Sequence, residues 1–172
     1  VEVFDTYGNP YLVQSVGAVD LADCTGTLDP VTLAFDATGW GQTSATIIQT
    51  ALGCSLAALD GGGILGSSVA FDVSNGPLVS LDVTPATPWV FLDEPVDVEI
   101  RALDYYSNTV VGFAESVTLG SALGSAASQV VDDFVDGVAT VQPDFVTPQL
   151  ADTLWVESEG GLTASSSAIG ML

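Results

Sequence analysis

The 172-residue chain contains no histidine and no lysine, and Arg101 is its one basic residue. Each absence closes off a chemistry. Without histidine there is no imidazole general base for a Ser-His-Asp or Cys-His centre, and no imidazole metal ligand. Without lysine there is no Schiff base and no P-loop lysine. Against that single cation stand 22 carboxylates, for a formal charge of −21. Such a surface repels phosphate backbones and anionic lipid, so nucleic acid and electrostatic membrane binding are not expected.

High charge with low hydropathy would signal disorder, but here 48% of residues are apolar and only 13% are charged, and mean hydropathy is +0.48. That is enough apolar material for folded domains with an acidic skin. The acid is mostly aspartate, 16 Asp to 6 Glu, and the chain has 18 Gly and 8 Pro. Asp, Gly and Pro favour turns, whereas Glu favours helices, so the composition points to strands joined by turns. Residues 37–59 carry no charge, a run long enough to span a bilayer. Interspersed Gly, Gln, Ser and Thr and the lack of basic flanks favour strands and turns instead, with no membrane insertion.

Alternation with a period of two dominates. Residues 97–102 place Val98, Ile100 and Ala102 on one face and Asp97, Glu99 and Arg101 on the other. Val69, Phe71 and Val73 alternate in the same way, as do Leu154 and Val156. Turn clusters separate the runs at Tyr7–Pro10, Asp60–Gly63, Asp136-Gly137 and Glu159–Gly161. Residues 120–131, rich in Ala, Ser and Gly, lack an amphipathic stripe and read as a loop.

The chain also matches itself. Val1-Glu2-Val3 falls on Val98-Glu99-Ile100, Asp5 to Asn9 on Asp104 to Asn108, and Val19 on Val117. Phe35 falls on Phe134, and Leu52-Gly53-Cys54-Ser55-Leu56 on Leu150-Ala151-Asp152-Thr153-Leu154. The offset stays near about 97–99 residues throughout. Two copies of one unit follow, each the size of an immunoglobulin-like sandwich. The expected architecture is all-β: two tandem immunoglobulin-like β-sandwiches, domain 1 at residues 1–76 and domain 2 at 77–172. Residues 78–95 read as the opening strand of the second copy. The first copy starts at its second strand, and is expected either to be a slice of a longer repeat array or to take its opening strand from a neighbouring subunit.

The strand followed by Asp5-x-x-Gly8-Asn9-Pro10, the Asp36-x-x-Gly39 turn and the closing Gly63-to-Val73 segment resemble filamin-type and bacterial invasin-type (Big-1-like) immunoglobulin repeats. Asp133-Phe134-Val135-Asp136-Gly137 resembles the same family's Asp-Gly turn, while Tyr106-Ser107-Asn108-Thr109 departs from its Gly and Pro. The resemblance implies a non-catalytic, extracellular structural or adhesive part of a surface stalk or filament. Its partners would be neighbouring repeats or identical subunits, with a host-surface or glycan ligand. The other reading is a carbohydrate-binding accessory module of a secreted enzyme. The family's strand order places first-copy strands at residues 1–5, 18–23, 31–36, 44–50, 54–59 and 68–73. It sets the end of 18–23 beside the start of 54–59, so Cys24 and Cys54 fit a cross-strand disulfide, the other reading being two thiols. Simple alternation puts the two cysteines on different faces, which a bulge or turn would have to correct.

Candidate ligand groups are few. Asp93, Glu94 and Asp97, and Asp132, Asp133 and Asp136, are acidic loop clusters of the kind that hold Ca²⁺. The D-x-[DN]-x-[DN]-G signature is absent, and solvated turns are the competing reading. Asp5 to Asn9 and Asp104 to Asn108 read as side-chain turns. Trp155, between Leu154 and Val156, falls on the outward face and is a candidate for glycan or interface contact. Repulsion among the carboxylates should make melting temperature rise with added NaCl or CaCl₂ in a thermal scan; a flat response would show that the charges are too dispersed to matter.

Overall fold

The computed structural model of the chain describes residues 18–29, 31–60, 63–92 and 94–171. The expected first strand at residues 1–5, the turn at Tyr7–Pro10 and Asp93 lie outside these. The described residues form strands and turns, with no helix. The chain divides into two compact units, residues 1–74 and 75–172.

In the second unit β7 (Ser80–Pro85), β9 (Val98–Leu103) and β12 (Val138–Val141) form one antiparallel sheet in the order β12-β9-β7. The facing sheet runs β11-β10-β13-β14, from β11 (Gln129–Val131), β10 (Val117–Ser121), β13 (Leu154–Ser158) and β14 (Thr163–Ser165). The short β8 (Trp89–Val90) and β15 (Gly170–Met171) pair in parallel. This is the sandwich architecture of an immunoglobulin-like domain. The alternation read from β9 is the one that builds the core: Val98, Ile100 and Ala102 are fully buried, while Glu99 and Arg101 face out and form an ion pair at 2.7 Å. Leu81, Val83, Val117, Leu119, Leu154 and Val156 complete the layer between the sheets.

In the first unit β1 (Val19–Asp23), β2 (Val31–Leu33), β4 (Leu56–Asp60) and β5 (Gly63–Ser67) form a sheet in the order β2-β1-β4-β5, and β3 (Ala51–Cys54) pairs with β6 (Phe71–Val73). The strand expected at residues 44–50 is not formed; that stretch is irregular, and pairing begins at Ala51. At the same spacing in the second unit, residues 142–148 are likewise outside any strand.

The sequence repeat is a structural one with a constant offset of 98. Val19 pairs with Leu33 as Val117 pairs with Val131, and Asp23 with Leu56 as Ser121 with Leu154. The Ser68 hydroxyl accepts from Leu56 N–H at 3.0 Å and the Ser166 hydroxyl from Leu154 N–H at 3.0 Å. Cys54 lies opposite Phe71 as Asp152 lies opposite Ile169.

Glycine is required at specific close approaches. Trp155 crosses from β13 onto its partner Gly120, where a Cβ would lie 2.5 Å from the indole Cζ2. Trp89 covers Gly170 in the same manner, with 2.3 Å to Cζ3. The Asp136-Gly137 turn has both residues at positive φ, 51° and 79°, between reciprocal Val135–Val138 hydrogen bonds, the geometry of a two-residue type I′ hairpin. Gly120→Ala should lower stability by about 1–3 kcal/mol through displacement of the Trp155 ring, read as a lower urea midpoint; an unchanged midpoint would show that the indole is free to move.

Candidate functional site

The corner where β1 ends and β4 begins has the same construction in both units but different chemistry. In the first unit Cys24 and Cys54 are joined by a disulfide, with Cα atoms 5.3 Å apart. The mismatch of faces is resolved because Cys24 lies beyond β1, in the turn that follows Asp23, and Cys54 closes β3 before the break at Ser55. Cys54 is fully buried and Cys24 exposed.

The offset of 98 carries Cys24 onto Ala122 and Cys54 onto Asp152. Asp152 is buried. Its carboxylate accepts from Leu123 N–H at 2.9 Å, Thr153 N–H at 2.7 Å and Ser125 N–H at 3.3 Å, and also from the Ser125 hydroxyl. A carboxylate in the second unit thus holds the turn that sulfur holds in the first. Burial pushes the Asp152 carboxyl up, but the four hydrogen bonds outweigh it and keep it below its ordinary value near 3.8. The neighbouring position is conserved in role rather than in residue. Asp23 accepts from Leu28 N–H at 3.1 Å, and its counterpart, the Ser121 hydroxyl, accepts from Ala126 N–H at 2.8 Å.

Asp104 makes a second carboxylate-centred turn. It accepts from the N–H groups of Tyr106 and Asn108 at 2.9 and 2.8 Å, from the Asn108 amide, and from Gly76 N–H at 2.8 Å. Ser107 sits in the left-handed region at φ 65° inside this turn. Burial raises the Asp104 carboxyl, and these donors more than offset it, so it too is held low.

The acidic clusters are placed differently. Glu94 is exposed, Asp97 accepts from the Gln142 amide at 2.8 Å, and Asp132, Asp133 and Asp136 are exposed around the 134–137 turn. Among the described residues the one group of three potential metal ligands is Asp23, Cys24 and Cys54. There the two sulfurs are bonded to each other, so the group is a crosslink with a carboxylate beside it. Trp155 is half-buried over Gly120. Neither Asp152 nor Ser125 stood out by residue type; the available signal was the match of Asp152 to Cys54.

No family model matches the chain, and no curated protein does. Among solved structures, the chain is similar to the Yersinia pseudotuberculosis adhesin InvE, with 19% identity, a TM-score of 0.42, and 98% of this chain and 51% of the adhesin chain covered. It therefore spans about half the length of that chain. Domains 4 and 5 of the surface-layer protein SbsC give 17% identity and a TM-score of 0.40, covering 99% of this chain and 79% of that one. A glycosyl hydrolase family 2 member from Bacteroides cellulosilyticus gives 12% identity and a TM-score of 0.48, over 90% and 21%.

Two outcomes follow from the paired corners. The stability contributed by Asp152 is full above its unfolded value near 3.8 and is lost as pH falls through the lower folded value. Asp152→Asn, which leaves the Ser125 N–H without its acceptor, should cost about 1–3 kcal/mol at neutral pH and flatten that acid limb in urea titrations; an unchanged acid limb would contradict the assignment. Reduction should cost the first unit about 3–4 kcal/mol, the loop-closure value for a separation of 30 residues, without moving the second unit's transition.

Proposed function

We propose that the chain is a non-catalytic, extracellular structural or adhesive module of a bacterial surface stalk or filament. The observation that carries this reading is the 98-residue repeat, each copy closing the same strand-end corner by its own clasp. A repeated sandwich with closed corners is suited to spacing and to bearing tension. A disulfide suits an oxidising compartment. The carboxylate skin keeps such a module soluble and unaggregated. Histidine and lysine chemistry is excluded by composition. The buried carboxylates Asp104 and Asp152 are consumed by backbone and side-chain donors rather than poised for proton transfer.

Strand sharing is a finer form of the same proposal. β15 pairs with β8 on the side away from its 149–152 neighbour. Among the described residues, its counterpart β6 pairs with β3 alone. A strand from a neighbouring subunit at that edge would propagate an open polymer. The carbohydrate-module reading draws less support, because Trp155 spends its ring on Gly120.

Single-molecule pulling tests the mechanical role. Two separate unfolding events are expected. The first unit's step should lengthen on reduction by about 100 Å, from about 3.3–3.6 Å per residue across the 30 residues that the disulfide locks. A chain that yields at negligible force, or that binds strongly on a glycan array, would count against the proposal.

A further inference from the structure

Residues 75–79 carry the chain into β7, and their start is fastened to the second unit through two side chains. Gly76 N–H donates to the carboxylate of the buried Asp104 at 2.8 Å, and Val111 N–H donates to Asn75 Oδ1 at 3.4 Å. The Asn75 amide nitrogen donates to the Gly76 carbonyl at 2.8 Å, so the side chain lies alongside the residue that follows it. Gly76 is unlike the glycines at 120, 137 and 170. Its φ lies outside the left-handed region, and a Cβ there would meet Asp104 Oδ2 at 3.4 Å, an ordinary contact. Neither the backbone nor the packing asks for glycine at this position. What the missing Cβ does leave open is the backbone nitrogen.

An asparagine followed by glycine has a reaction of its own. The nitrogen of Gly76 attacks Cγ of Asn75, and the new C–N bond closes a succinimide ring. The bond from Cγ to the side-chain nitrogen breaks, and that nitrogen leaves as ammonia with the proton of the attacking N–H. Water then opens the ring at either carbonyl, giving aspartate or, with the main chain rerouted through the side chain, isoaspartate. Water is taken up and ammonia released, with no other reactant. Of the three asparagines, Asn9 precedes Pro10, which has no N–H, and Asn108 precedes Thr109, whose branched side chain crowds its nitrogen; Asn75 alone precedes glycine. The attacking nitrogen must give up its proton, and a carboxylate 2.8 Å away opposes negative charge there. We propose that Asn75 is a self-modification site, converted through a succinimide to aspartate and isoaspartate at a rate that the Asp104 clasp restrains. Conversion puts a second carboxylate near Asp104, removes the amide donor to Gly76 and, in isoaspartate, lengthens the main chain by a methylene. Each change works against the Gly76–Asp104 bond, so the start of the 75–79 segment comes free. This chemistry stands apart from the mechanical reading, which the pulling experiment decides separately.

Prolonged incubation of the folded full chain at mildly alkaline pH, well below its melting temperature, followed by pepsin mapping and enzymatic methyl labelling of isoaspartate, tests this. The expected result is an amide-to-acid mass shift and isoaspartate at residue 75, with Asn9 and Asn108 unchanged. Gly76→Ala, whose Cβ the structure accommodates, should slow the conversion by at least about tenfold, a barrier difference of about 1.4 kcal/mol, with the melting temperature unchanged. Asp104→Asn, which keeps an acceptor and removes the charge, should speed it by about tenfold. Converted chains should lose hydrogen-exchange protection at the Gly76 amide. Conversion at Asn75 no faster than at Asn108 overturns the proposal, as does a rate that Gly76→Ala leaves unchanged. A rate that falls or stays the same in Asp104→Asn overturns the restraint, and protection retained after conversion overturns the release.

Discussion

Each unit must hold the end of one central strand against the start of its neighbour after the chain has made a long excursion between them, 30 residues in the first unit. The entropy of closing such a loop opposes the pairing of β1 with β4 and of β10 with β13. Those pairs carry the sheet on which the core of each unit is laid. The first unit meets the constraint covalently. The second uses Asp152, whose two oxygens gather three N–H groups and a hydroxyl at the same place. The two solutions fail under different conditions: sulfur yields to reductant and the carboxylate to acid. A chain that carries both retains one closed corner in either environment.

The charge takes on a different meaning in this frame. Most carboxylates coat turns and outward strand faces, but a few do structural work. Asp104 fixes the turn that contains the left-handed Ser107, Asp23 and Asp36 cap theirs, and Asp152 replaces a crosslink. Their titration sets the acid limit of the fold. The exposed acid gives the molecule its net charge of −21.

Much of this was legible in the sequence because strand alternation and turn chemistry are local. Val98, Ile100 and Ala102 face the core as the period of two requires, Asp136-Gly137 makes its hairpin, and Asp104 to Asn108 makes its side-chain turn. What escaped depends on partners distant in sequence. The run at 44–50 has the composition of a strand, but regular pairing starts only at Ala51, opposite Val73. Trp155 falls on the outward face as alternation says, yet its environment is decided by Gly120 across the ladder. Alternation also misplaced Cys24, because the period ends where β1 ends. Asp152 is one aspartate among 16, and only its alignment with Cys54 distinguishes it.

The equivalence of the two corners is most directly tested by writing the first unit's chemistry into the second. The Ala122→Cys/Asp152→Cys double variant, purified under oxidising conditions, should form a second internal disulfide, seen in intact mass as the loss of two further hydrogens and in the absence of titratable thiols. Two free thiols at those positions in the folded protein would contradict the account.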